Sequence, residues 1–253
     1  MALEYLPFIF FFVALLYSSV GFGGGSSYLA ILSLVLVDFY EIRSTALLLN
    51  VFVVAIGTFV FIKNGILKPK LLWPFFVLSV PLAYIGAQIQ MSQTAFFILL
   101  GTALILAGIS MLLRYAQSKL ETVELSNSKK ILLGGGIGLL SGVSGIGGGI
   151  FLSPILNLLK WANPRIIASL ASVFILVNSV AGLIGLKIAG TLSLNFEVVY
   201  QLIIAVILGG IVGSYLSSKK FNLKFLGILT SLLVFYVGLK IILQHGFQVY
   251  LGC

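Results

Sequence analysis

Charged residues divide the chain into long uncharged runs, which predict membrane-spanning helices. Lys, Arg, Asp and Glu are absent from 5–37, 44–62, 71–113, 131–159, 166–186, 198–218 and 225–239. A helix needs about 20 apolar residues to cross roughly 30 Å of hydrocarbon, and the run 71–113 suffices for two spans, divided by a polar stretch at 88–94. The pattern therefore predicts eight hydrophobic segments, at 5–36, 44–62, 71–89, 95–113, 131–159, 166–186, 198–217 and 223–242.

The composition agrees with a membrane protein. Of 253 residues, 60% are hydrophobic and 8% charged, whereas soluble domains are about 45–50% apolar and about 25% charged. In a chain this apolar, a net charge of +9 indicates basic residues in cytoplasmic loops. We therefore expect a lipid bilayer and no nucleic acid as partner. With one His and one Cys, the usual metal ligands are missing, so neither a metal nor another cofactor is expected.

The chain contains an internal repeat. Gly-Phe-Gly-Gly-Gly at 21–25 recurs as Gly-Ile-Gly-Gly-Gly at 145–149, an offset of 124. Downstream glycines and small polar residues repeat at nearly the same offset, and a polar stretch at 114–130 separates the two copies. We predict a first membrane repeat at 1–114, a linker at 115–129 and a second membrane repeat at 130–253.

The first segment of each repeat is predicted to be broken. Segments 5–36 and 131–159 are too long for one span, and each contains a glycine cluster, although a glycine inside a helix costs about 1 kcal/mol relative to alanine. Each segment forms either an interrupted crossing or a re-entrant hairpin. If all eight segments cross, Lys and Arg divide nine against six between the two sides of the membrane; if both broken segments re-enter, they divide twelve against three. The positive-inside rule favours re-entry.

Re-entry leaves three full spans in each repeat, an odd number, so consecutive repeats are inverted in the membrane. The predicted fold is an all-α polytopic protein of the cell (plasma) membrane. It has two inverted repeats, each a glycine-broken re-entrant helix pair plus three transmembrane helices; eight full spans is the alternative. Both termini are expected outside and the linker 115–129 inside. Inverted repeats with broken helices are a common plan of secondary transporters.

The two breaks predict a site for a small anion. A helix that starts after a break exposes unpaired N–H groups and the positive end of its dipole, and glycines let a ligand approach the backbone. Close packing between helices is the alternative role of the glycines. No charged residue falls in the interior of any predicted span, so no site for a coupling ion is evident, and export down an inside-negative potential needs none. The predicted substrate-binding residues are Gly23, Gly24, Gly25, Ser26, Ser27, Thr45, Asn50, Ser144, Gly147, Gly148, Gly149, Ser169 and Asn178.

The glycine motifs resemble the paired signature of the TauE/SafE family of sulfite exporters. The second motif extends to Gly-Ile-Gly-Gly-Gly-Ile-Phe-Leu-Ser-Pro at 145–154, while Ala30 stands in the first copy where Pro154 stands in the second. The resemblance covers nearly the whole chain and implies transport of sulfite or of small organosulfonates such as sulfoacetate. We therefore predict a membrane transporter that exports a small anion, and a homo-oligomer is compatible with the sequence.

The sequence leaves alternatives to export. One is a transporter of another metabolite or of a metal ion, and a second is a purely structural or assembly role. Another is an enzyme, because residues 142–145 spell the Gly-x-Ser-Gly of rhomboid-type intramembrane serine proteases. Such a serine needs a general base within hydrogen-bond reach, and the only histidine, His245, follows the last predicted span. The protein is therefore not expected to be an enzyme.

Overall fold

The structure is a computed structural model that describes residues 3–19, 21–33, 35–36, 38–89, 91–116, 123–218 and 223–243. Within these ranges the regular structure is helical and contains no strand. After a short 3₁₀ turn at Leu3–Tyr5 come α1 (Leu6–Ser19), α2 (Gly25–Leu32), α3 (Phe39–Lys63), α4 (Pro69–Leu72), α5 (Pro74–Gln88), α6 (Gln93–Ala116), α7 (Asn127–Ser144), α8 (Gly149–Leu158), α9 (Pro164–Ile188), α10 (Phe196–Ser218) and α11 (Leu223–Ile241).

Each of the eight predicted hydrophobic segments contains helix, and the prediction of an all-α polytopic membrane protein is confirmed. Four of the described helices have the length and hydropathy to cross a bilayer, namely Phe39–Lys63, Gln93–Leu113, Pro164–Ile188 and Phe196–Leu216. The remaining segments contain shorter apolar helices, several of them joined at breaks.

Helix α3 begins five residues before the predicted segment 44–62. Asp38 caps the helix, since its Oδ1 accepts a 2.9 Å hydrogen bond from the N–H of Tyr40. Glu41, three residues after the cap, completes the sequence pattern of a helix N-terminus. The expectation that no charged residue lies within a span therefore needs correction, because Arg43 lies in the second turn of α3 and is buried.

Both glycine clusters interrupt the helix, as predicted. Between α1 and α2, Gly21 and Gly24 have φ of +85° and +87°. Between α7 and α8, φ is +67° at Gly145, +85° at Gly147 and +83° at Gly148. Because a Cβ atom is strained in this left-handed region, glycine is the residue that can make these turns.

The broken segments fold back as hairpins. Val123 donates its N–H to the carbonyl of Lys160 at 2.9 Å, so the start of α7 and the end of α8 lie at the same end of the molecule. If α7 and α8 formed one straight helix, these two residues would be more than about 50 Å apart, at about 1.5 Å per residue. Helix α2 likewise returns along α1, because the rings of Phe10 and Tyr28 stack with centroids 4.9 Å apart. This is the shape that re-entry requires; the side of the membrane from which each hairpin enters stays a prediction.

The two halves interlock through reciprocal contacts. The broken helix α1 packs along α10 of the second half, and α7 packs along α5 of the first half. Glycines allow the close approach in both pairs. A Cβ atom at Gly213 would lie 3.0 Å from the carbonyl carbon of Leu15, and one at Gly138 would lie 2.5 Å from Cα of Ser79. Each hairpin is therefore held by the other half of the chain.

Two pairs of helices that have the same position in the predicted repeat pack antiparallel. In the α3–α9 pair, Leu47 near the start of α3 lies beside Gly182 near the end of α9, and Ser172 donates to the carbonyl of Val54 at 3.2 Å. Helices α6 and α11 also pair antiparallel, with Gly101 beside Ile242 and Gly108 beside Phe235. Inverted repeats require this relation. The boundaries at 1–114, 115–129 and 130–253 remain a prediction.

Candidate functional site

The two glycine breaks meet at Asn50 of α3. Its side chain is fully buried, and Nδ2 donates to the carbonyl of Ile146, inside the second break, at 2.9 Å. The same carboxamide faces the first break, since a Cβ atom at Gly23 would lie 2.5 Å from Oδ1 and one at Gly25 would lie 2.8 Å from Cγ. Oδ1 has no hydrogen-bond partner. One polar side chain therefore contacts both breaks.

Helix α9 lines the second break as α3 lines the first. A Cβ atom at Gly147 would lie 2.7 Å from both Ile175 Cγ2 and Ser179 Oγ, while one at Gly23 would approach Asn50 and Val54. An offset of 125 pairs Asn50 with Ile175 and Val54 with Ser179. Equivalent positions of α3 and α9 thus contact both breaks. The polar residue is the first of the two in α3, Asn50, and the second in α9, Ser179.

The helices that follow the breaks direct donors at this point. Helix α2 starts at Gly25 and α8 at Gly149, so the first amides of each have no acceptor within their own helix. The positive end of each helix dipole lies beside the break that precedes the helix, where it favours negative charge. Helix α9 adds two polar side chains. Ser179 Oγ and both polar atoms of the Asn178 amide are buried and have no hydrogen-bond partner. The arrangement offers neutral donors to an anion.

Of the predicted substrate-binding residues, the structure brings Gly23, Gly25, Asn50 and Gly147 into contact around one point. Gly149 packs close by against Ile175. The others are also buried. Gly24 lies against the ring of Tyr28 and Gly148 against that of Phe174, while Ser26, Thr45 and Asn178 are at most 1% exposed.

Three predicted hydroxyl groups are engaged elsewhere in the structure. Ser27 Oγ hydrogen-bonds with the Tyr17 hydroxyl at 2.7 Å. Ser169 Oγ donates to a carbonyl of its own helix at 2.8 Å, and Ser144 Oγ does the same at 3.5 Å. Their assignment to the substrate site stays a prediction.

Arg43 borders the site although the sequence predicted it outside the membrane segment, which was bounded at residue 44. The side chain is 2% exposed. Its Nη2 donates to the carbonyl of Gly142 and, at 3.3 Å, to that of Ala87. These carbonyls lie in the last turns of α7 and α5, where the helix dipole favours a cation. A Cβ atom at Gly145 would lie 2.5 Å from Arg43 Cγ, so the cation borders the second break.

The protease hypothesis finds no support in the geometry around its serine. Ser144 is fully buried, and its hydroxyl faces the carbonyl of Ser141 in the same helix. His245 lies outside the described residues. No group of three or more His, Cys, Asp or Glu side chains that could hold a metal ion occurs in the described part of the chain.

Comparisons with known proteins point to a transporter. Residues 6–241 match the family model described as sulfite exporter TauE/SafE. The chain is also similar to the probable membrane transporter protein y4hK of Sinorhizobium fredii (strain NBRC 101917 / NGR234). The two are 31% identical over 241 residues, which cover 94% of this chain and 97% of the relative. No solved structure matches the chain.

Proposed function

The chain belongs to the TauE/SafE sulfite exporter family, and we propose that it exports a small anion, sulfite or a small organosulfonate, across the plasma membrane. Family and relative make it a multi-pass membrane transporter. The observation that carries the choice of an anion is the convergence of both glycine breaks on Asn50, where two helix N-termini direct their amides at one point.

Neutral donors suit a transported anion better than a fixed cation would. A hydrogen bond to a charged group contributes about 1.5–3 kcal/mol after the loss of the water contacts that it replaces, so three such bonds favour the bound anion by about 4.5–9 kcal/mol. A fixed cation would add a direct Coulomb attraction and hold the anion more tightly. Asn50 keeps both breaks within reach of one solute, because it ties α3 of the first half to the backbone of the second.

Export also agrees with the membrane potential. An anion that leaves an inside-negative cell gains about 2.3 kcal/mol per charge per 100 mV, so no coupling ion is required. The antiparallel arrangement of equivalent helices supports alternating access around a shared site.

Flux measurements in proteoliposomes test the proposal. We expect saturable uptake of radiolabelled sulfite or sulfoacetate by the wild-type protein. Asn50→Asp adds a negative charge at the meeting point; at about 5 Å and an effective dielectric constant of about 20 it repels a monovalent anion by about 3 kcal/mol. Flux at low substrate concentration should therefore fall by about 100-fold.

The matched control is Asn127→Asp, which adds the same charge at the exposed start of α7. This variant should transport like the wild type. If the wild-type protein shows no saturable flux of any small anion, or if Asn50→Asp transports as well as Asn127→Asp, the proposal is wrong.

A further inference from the structure

A narrow pocket with a free volume of about 20 Å³ lies where α3 ends and α9 begins. We call it the vestibule; its lining includes Ser18, Gly57, Phe61, Asn64, Arg165 and Ser214. Asn64 and Arg165 are exposed at its mouth, whereas Ser18 and Ser214 are only 4% and 2% exposed. The vestibule therefore leads from an exposed cation towards the interior.

The floor of the vestibule is polar and lies beside the first glycine break. The hydroxyls of Ser18 and Ser214 are buried without a hydrogen-bond partner, an unfavourable state that a bound polar solute would relieve. The carbonyl of Ser18 accepts a hydrogen bond from the N–H of Gly21 at 3.2 Å. A solute on the floor is thus about one helical turn from the break.

The equivalent place in the other half holds a cation. The offset between the repeats pairs Ser18 with Gly142 and Ser214 with Ala87. The carbonyls of Gly142 and Ala87 are the two groups that hold the guanidinium of Arg43. The positions of Ser18 and Ser214 thus line a pocket, whereas the corresponding positions of Gly142 and Ala87 bind a cation.

Given the anion transport proposed above, we propose that the vestibule is an access site for the anion and that Arg43 is the latch that closes the opposite mouth. Arg165, which lines the vestibule, lies five residues after Lys160, and Lys160 is hydrogen-bonded to Val123 of the linker. The vestibule therefore opens at the end of the molecule where the linker lies. With the linker inside, as predicted, this is the cytoplasmic face, where an exporter collects its substrate. Release on the far side then requires Arg43 to leave its two carbonyls.

Cysteine labelling tests both parts without a transport measurement. In a Cys253→Ser background, Ser214→Cys should react in inside-out vesicles with the anionic 2-sulfonatoethyl methanethiosulfonate. The cationic trimethylammonium reagent should react more slowly. Arg165→Gln should lower this preference by about three- to tenfold, because the exposed cation concentrates anions at the mouth, whereas Arg165→Lys should preserve it. The matched control is Ser110→Cys, also buried but bonded within its own helix, which should stay unreactive.

The latch is tested from the opposite face. Ser179→Cys, beside the second break, should be unreactive in right-side-out vesicles and should become reactive when Arg43→Gln is added. Arg43→Met, which also removes the cation, serves the same purpose if the glutamine variant does not fold. An unreactive Ser214→Cys, or a preference unchanged by Arg165→Gln, would overturn the access site. Equal labelling of Ser179→Cys with and without Arg43 would overturn the latch. These rates are measured without substrate, so their failure is distinct from a failure of sulfite flux.

Discussion

The packing of α7 on α5 makes a sharp prediction about two neighbouring glycines. Gly138 faces α5 so closely that an added Cβ would lie 2.5 Å from Cα and 2.8 Å from the carbonyl carbon of Ser79. Gly136, two residues earlier on the same helix, has nothing within 4 Å of such a Cβ. Alanine at the two positions therefore changes the intrinsic helix preference equally but the packing very differently.

The expected magnitudes follow from these distances. Replacing a helical glycine by alanine favours the helix by about 1 kcal/mol at either site. At Gly138 the new methyl group meets backbone, which cannot rotate away, so α5 and α7 must separate at an overpacking cost of about 1–3 kcal/mol. Gly138→Ala should thus be less stable than Gly136→Ala by about 1–3 kcal/mol.

Thermal unfolding of the two purified variants in detergent measures this difference. For a chain of this size, 1 kcal/mol corresponds to about 2–4 °C, so the Tm of Gly138→Ala should be about 2–12 °C below that of Gly136→Ala. Equal Tm values, or a lower Tm for Gly136→Ala, would refute the packing of α7 on α5. The test bears on the site, because this interface also positions the Gly142 carbonyl that binds Arg43.

Two further predictions concern the breaks and the topology. Gly24→Val and Gly148→Val should abolish anion flux while the protein still inserts into the membrane. The reason is that φ at these residues is +87° and +83°, where a branched side chain is strained. Normal flux in both variants would show that the breaks do not hold substrate. In a Cys253→Ser background, Tyr5→Cys and Tyr40→Cys should both label from outside and Glu124→Cys only from inside, with an impermeant thiol reagent. Labelling of Tyr5→Cys and Tyr40→Cys from opposite faces would mean that the first broken segment crosses fully.

Local features of the chain were sufficient to predict its helices, its two breaks and its duplication. Each rests on neighbouring residues: an uncharged run is stable as a helix in a bilayer, and clustered glycines disfavour a continuous one. The start of α3 lies five residues before the predicted segment because that segment was bounded by charge alone. Asp38 and Glu41 form a capping pattern that placed Arg43 inside the helix.

Contacts between residues far apart in the sequence could not be predicted from such local features. Asn50 meets Ile146 across 96 positions, and Arg43 meets Gly142 across 99, because the halves interlock and each hairpin packs against the other half. The roles of a buried amide, a buried cation and two unpartnered serines depend on which backbone lies opposite them. That neighbour is chosen by the packing of whole helices, so only the folded chain reveals it.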